Sequence, residues 1–158
     1  MIIEPLPAWQ TALRDSARLR PAPVWHFVDP SLAVAAMRAR PQNLVAEPKT
    51  LGLLFESLAM RDLRVYSALH RGRVYHARDS FGREVDAIIE YPEGWIACEV
   101  KLGLGQVEQA AKSLSTFVAA VDVQTVGPCQ ARVVIVGTGP GYRRPDGVYV
   151  VPLADLRP

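Results

Sequence analysis

The sequence predicts an α/β domain whose mixed central sheet is flanked by helices. Three observations carry this. Leu51 to Leu69 holds no proline, a single glycine and good helix formers throughout. Three β-forming runs follow between residues 73 and 101, parted by turn chemistry. A helix-period stretch over 106–121 then leads into the apolar, β-branched run Ala131 to Val136.

Taken in order, residues 1–48 form a proline-rich lead-in, with Pro5, Pro7, Pro21, Pro23, Pro30, Pro41 and Pro48. Such spacing blocks long helices and disfavours central strands. It predicts a segment that wraps a core without being one. One short helix is expected over Asp29 to Met37, with Asp29 as N-cap and Pro30 at the first helical position. Trp25, Phe27 and Val28 before it predict a short edge strand or a packing strip. The second unit, 49–158, carries the sheet. On the Leu51–Leu69 helix, Leu54, Leu58, Arg61 and Val65, or Leu51, Phe55, Leu58 and Asp62, trace adjacent rows. Glu56 stands in this otherwise apolar stretch, either at the edge of the buried face or pointed at something.

Arg73 to Arg78 reads as a strand, and the loop Asp79-Ser80-Phe81-Gly82 returns the chain into Glu84 to Tyr91. Pro92-Glu93-Gly94 turns it again, into Trp95 to Lys101. Gly103 and Gly105 open the next helix, whose apolar side is Val107, Ala110, Ala111, Leu114, Phe117 and Val118. A right-handed crossover through that helix would set the Ala131 strand parallel to the Glu99 strand. A glycine-rich loop, 137–147, precedes a last strand, Val148 to Val151.

Composition bounds the function. At 158 residues, 49% hydrophobic and 22% charged, the chain is one ordinary globular domain. No apolar run approaches membrane-spanning length, and the start lacks the pattern of a signal peptide. The expectation is a cytoplasmic protein without a membrane partner. Cys98 and Cys129 lack metal-ligand spacing and read as reduced structural thiols. His26, His70 and His76 are scattered, which supports neither a zinc site nor a Ser–His–Asp arrangement. The net charge of +2 does not by itself argue nucleic-acid binding. Arg61, Arg64, Arg71, Arg73, Arg78 and Arg83 crowd one stretch, as a solvated face or a phosphate-facing rim. Gly137-Thr138-Gly139-Pro140-Gly141 is followed by no Lys-Ser or Lys-Thr, so a turn is the plain reading there.

The chemistry concentrates in the hairpin. If its bend centres between Pro92 and Glu93, Asp86 falls opposite Glu99, and Lys101 shares the face of Glu99. The opposite face would carry Val85, Ala87, Ile89, Ile96, Cys98 and Val100. Two carboxylates on adjacent strands can share a hard divalent cation, and a neighbouring lysine can orient a nucleophile or neutralise developing charge. A salt bridge at a sheet edge is the plainer reading of the same residues.

The order helix with glutamate, three strands, Asp-x(12)-Glu-x-Lys, helix, strand resembles the restriction-endonuclease-like superfamily, the PD-(D/E)xK nucleases. The matching residues are Glu56, Asp86, Glu99 and Lys101, while Val85 stands where the family usually has proline. The resemblance implies an αβββαβ core and a catalytic set of Glu56, Asp86, Glu99 and Lys101. A glutamine from the following helix would join them, Gln106 ahead of Gln109. It implies magnesium or manganese held by Glu56, Asp86 and Glu99.

Separated blocks sharpen this: Trp25 to Ala33, Gly52 to Glu56, Arg61 to Arg64, Arg78-Asp79, Glu84 to Asp86 and Glu99 to Gly103. Together, over about residues 20–122, they resemble the domain of unknown function (DUF4143 type) that follows an AAA-type ATPase module in many prokaryotic proteins. The implied function is metal-dependent phosphodiester hydrolysis of nucleic acid, DNA favoured, with that ATPase as partner in cis. The alternative is an inactive module coupling a nucleic-acid or protein partner to the ATPase. A third reading is a docking or homo-oligomer domain, with the apolar strip at Trp9, Trp25 and Phe27 as its surface.

Overall fold

The computed structural model describes residues 2–11, 13 and 18–157; part of the lead-in, 12 and 14–17, lies outside them. The chain opens with strand β1 (Ile3–Leu6) and strand β2 (Val24–Phe27), paired antiparallel as a small separate sheet. Helix α1 (Pro30–Ala36) follows, with Asp29 as its N-cap and the Asp29 carboxylate accepting from Ser31 N–H at 2.9 Å. Helix α2 (Pro41–Ala46) was not expected. It starts on a proline at its first position, with Arg40 N–H capped by the Asn43 side chain. Helix α3 (Pro48–Ala68) is the long helix and begins a turn earlier than its apolar pattern, again on a proline.

The main sheet follows: β3 (Arg73–Arg78), β4 (Glu84–Tyr91) and β5 (Gly94–Lys101) meander antiparallel. A short 3₁₀ turn leads to helix α4 (Val107–Ala120), then the brief α5 (Val123–Val126) and strand β6 (Cys129–Val136). The two-residue strand β7 (Tyr142–Arg143) and β8 (Tyr149–Pro152) complete a six-stranded mixed sheet of order β3-β4-β5-β6-β8-β7. β6 runs parallel to β5, as the crossover through α4 requires. The architecture is therefore α/β, with a mixed six-stranded sheet flanked by helices. No helix among the described residues is long and apolar enough to cross a membrane.

Each face of the sheet has its own core. Ile88, Trp95, Ala97 and Val134 pack against the α4 residues Ala110, Leu114 and Phe117. Ala87, Ile89, Cys98, Val100 and Ile135 pack against Ala59, Met60 and Leu63 of α3. Of the rows proposed for α3, Leu54 is buried and Phe55 packs against this second core. Small residues, Ser57, Ala59 and Ser67, let the helix lie close along the Met60–Leu63 stripe. Leu51 and Leu58 turn toward α1 and α2, where with Leu54 and Phe55 they line a groove beside Val34 and Leu44. Val65 is exposed.

The lead-in contributes to the core directly. Trp9 is 1% exposed, packs its ring at a 48° tilt with its centroid 4.8 Å from that of Trp95, and donates its indole N–H to Glu90 at 2.7 Å. The expected apolar surface strip is thus broken up: Trp9 is inside and Trp25 is exposed. The cause is pairing along β3, where His76 N–H donates to Pro7 O and His76 O accepts from Trp9 N–H. Further along, Arg20 N–H bonds Arg78 O. The lead-in therefore covers an otherwise unpaired strand edge.

Candidate functional site

The register Tyr91↔Gly94 places the bend between Pro92 and Glu93, and pairing runs back to Ala87↔Cys98. The next positions along are Asp86 and Glu99. Facing β3, however, β4 has an extra residue: Tyr75 pairs with Ile88 and Ala77 with Val85, so Asp86 and Ala87 stand opposite His76 alone. This is a β-bulge, a device that bends a strand and re-aims a side chain. It explains why Val85 leaves the face predicted for it and joins the core under α4 with Ile88.

Asp86 sits in that bulge. Its Oδ2 accepts from Val100 N–H at 2.8 Å, a donor that would otherwise be unpaired beyond the end of the ladder. The same oxygen lies 3.1 Å from Lys101 Nζ, and Nζ lies 2.5 Å from Glu99 Oε2. One ammonium thus bridges two carboxylates. The Glu99 side chain is 7% exposed, that of Asp86 16% and that of Lys101 25%, so the group opens toward solvent at the lysine. Burial and the neighbouring Asp86 carboxylate push the Glu99 acid up to about 8. Burial pulls Lys101 down, but Asp86 and Glu99 more than reverse it and hold its proton above the usual lysine range.

They open into a cleft of about 460 Å³ between the sheet and α4. Its far wall is Gln109, Lys112, Ser113 and Thr116, at i, i+3, i+4 and i+7 on one helical stripe. Arg83 closes the rim. Gln109, not Gln106, therefore faces Asp86 and Glu99. Gln106 lines a second groove with Glu56, Val100 and Lys101, so Lys101 alone among the five predicted residues borders both spaces.

Glu56 projects from α3 into that second groove. Burial and then the charge of Asp86 push its acid up to about 7, with Lys101 opposing. The two carboxylates are thus in electrostatic reach without sharing a cleft. Among the described residues, no three His, Cys, Asp or Glu side chains converge closely enough to hold a metal ion.

The sequence pattern missed His26. β2 lays it over α3, 5% exposed, with Nε2 3.9 Å from Glu56 Oε1 and without a hydrogen-bond partner. Its Nδ1 is 3.5 Å from Ser57 Oγ, which accepts from Phe27 N–H at 3.3 Å. Burial lowers the His26 pKa, so the ring is neutral at pH 7. No spacing rule reaches from residue 26 to residue 56. The polar stripe on α4, by contrast, was visible as the complement of its apolar side.

Several arginines proposed as a rim are committed to the fold. Arg61 bonds Asp62 at 2.8 Å, Arg64 bonds Glu4 and the Pro5 carbonyl, and Arg83 bonds the fully buried Asp79. Cys98 and Cys129 are free thiols.

Chemically, paired carboxylates are hard oxygen donors suited to magnesium or manganese. The bridging ammonium marks the point where a cation is favoured between them. Asp86 and Glu99 offer such oxygens, with the Lys101 ammonium lying between them. No curated protein and no solved structure matches the chain. The sequence model of one family, described as a domain of unknown function (DUF4143), matches residues 51–156, about two thirds of the chain, from α3 through β8. The chain belongs to the DUF4143 family.

Proposed function

We propose that this domain is a metal-dependent nuclease-like phosphodiesterase built on a restriction-endonuclease-like core. One observation carries the reading: Asp86 from a bulge, with Glu99 and Lys101 from the neighbouring strand end, converges on one polar cleft. The element order around it, α3, the β3–β5 meander, α4 and β6, is the order that such a core uses. Asp86 and Glu99 would hold magnesium or manganese, with the Glu56 carboxylate in electrostatic reach from the adjoining groove. When bound, that ion would supply an activated water and charge stabilisation at a phosphoryl oxygen. Lys101, once displaced from between the carboxylates, is placed to orient the attacking water or balance developing charge. Gln109, Lys112 and Ser113 line the wall along which a substrate backbone would pass. DNA is the favoured substrate, an AAA-type ATPase module the expected partner in cis, and the cytoplasm the expected compartment.

A second reading has its own support. The Lys101 ammonium already lies between Asp86 and Glu99, and no three-ligand cluster is formed among the described residues. A non-catalytic module that couples a bound partner to the ATPase would look like this.

Calorimetric titration of manganese into the wild type and Asp86→Asn separates the two. Asparagine keeps an oxygen for Val100 N–H, so the fold is spared. Binding that vanishes in the variant, with DNA cleavage that vanishes in Asp86→Asn and Lys101→Met, is the expected result. Cleavage unchanged in both variants would refute the catalytic assignment. Absence of both binding and cleavage in the wild type would favour the coupling module.

A further inference from the structure

A second polar cavity, of about 350 Å³, lies at the other end of the sheet, and nothing in the nuclease reading uses it. It sits on the opposite flank of α4. Ser113 and Thr116 border the first cleft, whereas Val118 borders this one and Ser115 anchors its wall. Its floor is apolar, from Val118, Ala131 and the Tyr149 ring.

Two arginines meet here. Arg132 is pinned from both sides: Nη1 donates to Ser115 Oγ at 2.7 Å and Nη2 to the Asp146 main-chain carbonyl at 2.7 Å. Neither bond neutralises its charge. The Asp146 carboxylate is turned away, taken by Arg144 and by Val148 N–H at 3.1 Å. Arg143 is exposed and lies 5.4 Å over the Tyr149 ring, its antiparallel partner across β7 and β8. Among the described residues, no carboxylate lies within ion-pair distance of Arg132 or Arg143.

Gly147 makes the juxtaposition possible. Its φ of +84° suits glycine, and a Cβ there would stand 3.3 Å from Arg132 Nη2 and 3.8 Å from Arg143 Nη2. The two guanidinium groups are therefore neighbours across an open glycine. Like charges held side by side are unfavourable. An anion between them relieves the repulsion, and the planar fork of arginine matches phosphate oxygens.

We propose that Arg132 and Arg143, converging over Gly147 beside the Tyr149 ring, form a binding site for the phosphate of a nucleotide unit. The guanidinium groups take the phosphate oxygens, and the apolar floor takes sugar or base. The nucleotide is either free or part of a nucleic-acid backbone. Since the site shares no residue with Asp86, Glu99 or Lys101, it stands or falls apart from catalysis.

The test is nuclear magnetic resonance of the arginine Nε–Hε groups in the whole chain, assigned with Arg132→Lys and Arg143→Lys. Sodium phosphate, thymidine monophosphate and a short thymidine oligonucleotide are titrated at fixed ionic strength, with chloride as control. Saturable shifts of both signals with phosphate, absent with chloride, are expected. Arg143→Ala, at an exposed position, should weaken binding about tenfold, and Asp86→Asn should leave it unchanged. Tighter binding of the mononucleotide than of phosphate indicates a free nucleotide. Tighter binding of the oligonucleotide than of the mononucleotide, weakening strongly when the titration is repeated at higher salt, indicates a backbone. Shifts that track the chloride control, or affinities equal in wild type and Arg143→Ala, overturn the proposal.

Discussion

Replacing Lys101 by methionine removes the ammonium from between Asp86 and Glu99 while keeping a stem of similar bulk. The cost depends on pH in a way the geometry dictates. In the wild type the Glu99 acid is raised from the ordinary 4.5 to about 8. A raised acid favours the folded state at low pH, and that advantage is lost as pH climbs through the folded value. Wild-type stability should therefore fall from about pH 4.5 to about 8 and then level off as far as Glu99 is concerned. Without Lys101 the acid must rise further, since its nearest cation, 2.5 Å away, is gone. The fall then continues beyond pH 8 at about 1.4 kcal/mol per pH unit. Below pH 8 both proteins keep Glu99 protonated, and the difference is the lost bond to Asp86, about 1–2 kcal/mol. At pH 9.5 the difference should reach about 3–4 kcal/mol, in line with breaking a buried ion pair. Urea unfolding followed by the fluorescence of the buried Trp9 and Trp95 measures it. A gap between the two proteins that stays constant from pH 6.5 to 9.5 would show that Glu99 does not feel Lys101, and the electrostatic account of the site would fail. Glu99→Gln combined with Lys101→Met should abolish the extra dependence.

Glu56→Gln tests the adjoining groove: because burial raises this acid to about 7, the variant should gain on the wild type between pH 5 and 7.5, by about 1–2 kcal/mol after allowance for its partial exposure. Urea midpoints at the two pH values give the answer, and an unchanged difference rejects the burial of that carboxylate. Trp9→Ala removes the ring contact with Trp95 and the bond to Glu90, and should cost about 3–5 kcal/mol, read as a lowered thermal midpoint by circular dichroism. Gly94→Ala forces a Cβ to within 2.6 Å of Pro128 O at a φ of +147°, and should cost about 1–3 kcal/mol in urea. Gly103→Ala, with nothing within 4 Å, is the matched control expected to change little.

Much of the fold was legible because periodicity reports burial. The hairpin register followed from Pro92-Glu93-Gly94 alone, and it brought Asp86, Glu99 and Lys101 to one face. What escaped were features without a local signal. The bulge that moves Val85 depends on pairing with β3, not on β4's own residues. The buried stripe of α3 is made partly of serine and alanine, so its leucine rows marked that face only in part, at Leu54 and not at Val65. His26 meets Glu56 and Trp9 meets Trp95 only through tertiary pairing of a proline-rich segment. Gln106 is nearer in sequence to the β5 end, but the helical turn presents Gln109 to the cleft.

Trp9 has a consequence for where the folding unit ends. The family match begins at residue 51, yet the indole that fills the space beside Trp95 comes from forty residues upstream. A fragment cut at the family boundary would be missing a keystone, with Trp95 and Glu90 left facing water. The heritable module and the cooperative module are then different lengths of chain. Any force applied to residues 7–9 would also arrive, through two main-chain bonds to His76, at the strand position opposite the bulge that aims Asp86.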